Sequence, residues 1–122
     1  MRKAVNMYKI DGTTISLVRG DSMSLKFSLK KDDEDYIPFA DDHIRFAMKH
    51  SEFLPGKTGY KDAAPVLVKD IPYDTMTLKI DPDDTKNLGF GSYVYDVQIT
   101  YANGDVDTFI PPSRFNLLAE VD

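Results

Sequence analysis

The chain has 122 residues, 42% of them hydrophobic, with no cysteine and a net charge of −5. Such a length fits one domain that can bury a core unaided, and the lack of thiols excludes disulfides, thiolate metal sites and a cysteine nucleophile. The acidic balance argues against nucleic acid as a partner, since phosphate binding is driven by Lys and Arg releasing counterions.

Asn6, Tyr8 and Lys9 interrupt the apolar stretch that a signal peptide needs, and no later run approaches a membrane-spanning length, so neither export nor a membrane partner is expected. The first segment, Ala4–Ile10, closes on the turn signal Asp11-Gly12. Residues 1–12 therefore read as an arm that can pair with its own sheet edge or a neighbour's. A strand is expected over Thr14–Val18. The clearest strand is SMSLKFSLK, residues 22–30, where Met23, Leu25, Phe27 and Leu29 alternate with Ser and Lys. Lys30 to Asp35 follows as a solvated turn of mixed charge.

HIRFAMK, residues 43–49, again places Ile44, Phe46 and Met48 on one face. His43 and His50, the two histidines, are seven apart and lack further ligands, so both read as surface residues. SEFLPGKT, residues 51–58, comes within one residue of a phosphate-binding loop, with Ser51 at the position of the first glycine. Gly59 and Pro65 leave no room for the helix such a loop must open. Residues 50–65 read instead as a long exposed loop, with Phe53 and Tyr60 as candidate partner contacts.

Further strands are expected at 66–71 and at MTLKI, residues 76–80. Asp81-Pro82-Asp83-Asp84 then gathers three carboxylates, but a calcium loop starting there would need glycine sixth and glutamate twelfth, where Lys86 and Ser92 stand. Asp81 suits an N-cap, Pro82 the first helical position, and Asp83 and Asp84 the first turn, so a short helical turn near 82–88 is the expectation. Gly89 and Gly91 would let the chain out of it.

Tyr93, Tyr95, Val97, Ile99 and Tyr101 alternate toward Asn103-Gly104. A two-residue turn there, with positive φ at both residues, would set Tyr101 opposite Val106, Ile99 opposite Thr108 and Val97 opposite Ile110. Phe109 would then face the other way beside Gln98, covered by another segment or offered to a partner. Pro111 and Pro112 suggest a break before a last strand over Arg114–Val121. Short strands between turn signals, with no long periodic helix, point to one all-β domain over 1–122, an antiparallel sandwich. No catalytic triad can be placed, and no enzymatic activity, metal, cofactor or small-molecule ligand is expected.

Two resemblances extend this reading. Leu88 to Val97, LGFGSYVYDV, resembles an immunoglobulin-type corner in which Gly91 precedes a corner tyrosine, Tyr93, at the start of a long strand. Tyr95 stands where antibody domains have a cysteine, so the resemblance implies only the broader immunoglobulin-like class. The Gly20-Asp21 opening, the DPDDTKNL turn from Asp81, the GSYVYD strand from Gly91, and Gly104 with Thr108 in the return hairpin together resemble small structural proteins of tailed phages and prophages. They are similar to the amino-terminal immunoglobulin-like domains of baseplate upper proteins from phages of Gram-positive bacteria.

That resemblance spans roughly residues 14–121 and rests on framework motifs. It implies a tail-associated structural or assembly protein, found in the virion or in the host cytoplasm during assembly, whose partners are other phage structural proteins or further copies of itself. The chain ends with the single domain, so an accessory or decoration role is expected over host binding. Two alternatives remain open. A carbohydrate- or surface-binding module would use exposed aromatics such as Tyr36, Phe39, Phe53 and Tyr60. An acidic inhibitor of a host nucleic-acid enzyme would gather carboxylates on one face.

Overall fold

The computed structural model describes residues 8–31, 33–50 and 64–120. In chain order these form β1 (Tyr8–Asp11), β2 (Thr14–Val18), β3 (Met23–Lys26), β4 (Leu29–Lys31), β5 (Glu34–Tyr36), β6 (His43–His50), β7 (Leu67–Ile71), β8 (Thr77–Ile80), α1 (Pro82–Thr85), β9 (Gly91–Thr100) and β10 (Val106–Leu118). The protein is an all-β sandwich. One layer is a six-stranded sheet in the order β1-β2-β10-β9-β6-β7; β3 and β8 pair separately, and β4 and β5 form a third small ladder. Pairing is antiparallel throughout except between β2 and β10, which run parallel with Phe115 opposite Ile15 and Leu117 opposite Leu17.

Alternation explains the layers. Ile15 and Leu17, Ile44, Phe46 and Met48, and Phe115 and Leu117 turn inward from the large sheet; Met23, Leu78 and Ile80 join them from β3 and β8 in one buried cluster. At its centre the Phe46 and Tyr95 rings stack at 5.3 Å, and each meets Phe115 at 6.2 Å. Such aromatic pairs contribute about 0.5–1.5 kcal/mol each beyond the area they bury.

Two of the expected strands need correction. The strand over 22–30 is interrupted after Lys26: the Phe27 amide still bonds in register to the Met76 carbonyl at 2.8 Å, but Met76 takes φ 52, outside the extended range, and the ladder with β8 ends there. The burial alternation nevertheless continues through Leu29. The turn from Lys30 to Asp35 is a tight hairpin between β4 and β5, with Asp33 at φ 64 near its tip. β10 does not stop at Pro111 and Pro112; the ladder steps from the pair Ile110–Val97 to Ser113–Tyr95, so the residues without amide hydrogens fall in an irregularity.

The hairpin tip also differs. The Gly104 amide bonds to the Tyr101 carbonyl at 2.9 Å and the Tyr101 amide to the Asp105 carbonyl at 2.8 Å, closing a three-residue loop in which Gly104 takes φ 93. Asn103 keeps a negative φ, and its Oδ1 accepts the Asp105 amide at 2.9 Å. One extra loop residue slides the register, so Val106 faces Thr100 and Thr108 faces Gln98. A bulge at Phe109 restores the expected pair of Ile110 with Val97. Val106 and Thr108 therefore join the outer face of the sheet, and Asp107 comes opposite Ile99.

The three carboxylates after Ile80 sit at the start of the expected helical turn. Asp84, at the third position of α1, accepts the Asp81 amide at 2.8 Å, the return half of a capping box, and also pairs with Lys69 Nζ at 2.8 Å. Thr85 is buried, and its hydroxyl accepts the Gly20 amide at 2.9 Å, fastening the helical turn to the loop after β2. Gly91 leaves the turn at φ 133, a conformation that other residues rarely adopt.

Candidate functional site

The register slip builds a polar and aromatic cluster on the surface at the hairpin tip. Asp107, brought to the inner side of the hairpin tip, accepts the Tyr101 hydroxyl at 2.8 Å. Across from it, Asp42 organises the segment after β5. Its Oδ2 accepts the Tyr36 hydroxyl at 2.6 Å and the Phe39 amide at 2.9 Å, while its own amide bonds to the Phe39 carbonyl at 3.0 Å. Residues 36–42 thus form a knitted loop.

Tyr36 joins the two segments. Its ring stacks on Phe109 at 6.3 Å and meets Tyr101 edge-on at 5.8 Å and Phe39 edge-on at 6.5 Å. The bond to Asp42 pushes the Tyr36 hydroxyl up to about 12. Burial, with the Asp107 bond behind it, raises Tyr101 further above the ordinary tyrosine range. Between the segments lies an open groove of about 570 Å³ lined by Tyr36, Asp42, Tyr101, Asn103, Asp105 and Asp107, among others. On the knitted loop beside it, Ile37 is 80% and Phe39 70% exposed. Large apolar side chains held in water by a braced loop can exclude water from a partner's surface at little ordering cost.

The structure brings only some of the singled-out residues to this place. Asn103 and Gly104 form the hairpin tip, and Phe109 is half-buried behind Tyr36. Asp81, Gly91 and Tyr93 belong to the framework around α1, where the Tyr93 hydroxyl donates to the Gly89 carbonyl at 2.7 Å. Phe53 and Tyr60, with most of the 50–65 loop, lie outside the described residues, as do residues 1–7 of the arm. The described part of the arm, β1, pairs with β2 and leaves β1 and β7 as the outer strands of the large sheet. His43 sits 3.1 Å from Asp70, and the His50 ring packs 5.0 Å from that of Tyr93.

Ile37, Asp42, Tyr101 and Asp107 were not anticipated as members of a site. Asp42 had a local signal, since an aspartate three residues after Phe39 can cap that residue's amide. Asp107 had none, because its position depends on the loop length. Among the described residues, no group of three His, Asp or Glu is placed to hold a metal ion, and no helix is long and apolar enough to cross a membrane.

Compared with protein-family models, curated proteins and solved structures, the chain finds no match in any of the three.

Proposed function

We propose that this protein is a non-enzymatic interaction module of a phage or prophage, tail- or baseplate-associated, that works through protein contacts made at one end of its immunoglobulin-like sandwich. The observation that carries this reading is the pair Ile37 and Phe39, 80% and 70% exposed on a loop that Asp42 holds in place by three hydrogen bonds. The phage assignment rests on the sequence resemblance of the framework motifs Gly20-Asp21, Asp81 to Leu88, Gly91 to Asp96, and Gly104 with Thr108.

The test uses purified tail proteins encoded beside this chain. Light scattering and interferometry should detect self-association or capture of one such protein. In the double variant Ile37→Ser/Phe39→Ser, association should weaken at least about tenfold, the scale of an interface anchor, while the melting temperature moves by only a few degrees because exposed positions contribute about ±0.5 kcal/mol. A monomer that binds no tail protein but turns over a substrate would overturn the reading.

A further inference from the structure

We infer that the groove between the 36–42 loop and the tip of the β9-β10 hairpin receives a lysine or arginine side chain from an apolar, basic segment of the partner protein; this rests on the assembly reading above and names the chemistry of its contact. Among the described residues, the groove's lining includes Asp42, Asp105 and Asp107 and no basic residue. The tyrosine bonds fall on Oδ2 of Asp42 and of Asp107, and neither Oδ1 takes a hydrogen bond from a described residue. Each carboxylate therefore keeps an acceptor for a charged donor, and charge-assisted bonds of this kind are about twice as strong as neutral ones.

The walls suit the rest of such a side chain. The lining also takes in Ala102, Val106 and the two tyrosines, so a long methylene stem meets apolar atoms while its head reaches the carboxylates. Beside the groove, Ile37 and Phe39 call for apolar residues flanking the basic one. A sugar is disfavoured as occupant. The Tyr36 ring is already stacked against Phe109 and met by the edges of Tyr101 and Phe39, and aliphatic Ile37 and Val106 offer no flat platform.

The probe is an end-blocked pentapeptide of leucine and alanine with a central arginine, and its counterpart with citrulline, the neutral isostere, titrated into the isotopically labelled protein by NMR. Amides of residues 36–42 and 101–107 should shift with the arginine peptide, and the citrulline peptide should bind at least about fivefold more weakly, a modest share of the effect of losing a close charge pair. Asp105→Asn/Asp107→Asn should bring the arginine peptide down to the citrulline level. An asparagine oxygen still accepts the Tyr101 bond, so this variant should melt like the wild type; if it does not, Asp105→Asn alone should reproduce part of the loss. Raising salt from about 0.05 to 0.5 M should weaken only the arginine peptide, as the screening length shortens.

Equal binding of the two peptides, shifts elsewhere in the protein, or no shift at all would overturn the inference. Shifts at the groove caused by a neutral oligosaccharide instead would replace it with glycan binding. If the double aspartate variant still captured its tail protein with full affinity, the groove inference would fall while the assembly reading stood.

Discussion

Tyr93→Ala is expected to cost about 3–5 kcal/mol of folding stability and Tyr93→Phe about 1 kcal/mol. The ring is 2% exposed and packs in the core cluster, so truncation leaves a cavity. The hydroxyl donates to the Gly89 carbonyl at 2.7 Å, so phenylalanine leaves that carbonyl short of a donor and removes the tie between β9 and the turn before it. Denaturant titration reads both values. Gln98→Ala on the outer face of the same strand should stay within about 1 kcal/mol, although it releases Arg45 from a 2.7 Å bond. If Tyr93→Phe melted like the wild type, the corner hydroxyl would have no structural role.

The second large effect is alkaline unfolding. Burial pushes the Tyr95 hydroxyl, which donates to the Thr13 carbonyl, up to about 12. An unfolded tyrosine ionises near pH 10, so the native state binds more protons than the unfolded state between about pH 10 and 12. Stability is unaffected by this group below that window and falls through it at about 1.4 kcal/mol per pH unit, to a loss of about 2–3 kcal/mol. Tyr36, Tyr93 and Tyr101 are shifted in the same direction and add to the slope. Tyr95→Phe should lower stability at pH 7 by about 1 kcal/mol and reduce the alkaline slope by about one proton. An unchanged slope in that variant would show that the buried hydroxyl does not titrate in this range.

Much of the sandwich could be read from period-two alternation, because a strand with one buried face writes its packing into consecutive residues. Ile44, Phe46 and Met48, or Leu78 and Ile80, needed no partner to declare their face. What depended on distant partners could not be read. The parallel pairing of β2 with β10 joins residues about a hundred positions apart, and the ladder of β3 ends where Met76, some fifty residues on, turns to φ 52.

The candidate site depended on both kinds of information. Asn-Gly marked a turn but did not set its length, and one extra residue moved Asp107 beside Tyr101 and Val106 to the surface. The Phe109 bulge then hid the error by restoring the register of Ile110. Tyr36, Asp42, Tyr101 and Asp107 come from two segments some sixty residues apart, so no local pattern joins them.

The proposal that this protein acts through contacts at the end of the sandwich carrying the 36–42 loop and the 101–107 hairpin tip is tested most directly by amide hydrogen exchange of the chain alone and in complex with a protein that it captures. Slowed exchange should concentrate in residues 36–42 and 101–107, with the already protected core strands β6 and β9 unchanged. Protection confined to the outer strands β1 and β7, with none at this end, would contradict it.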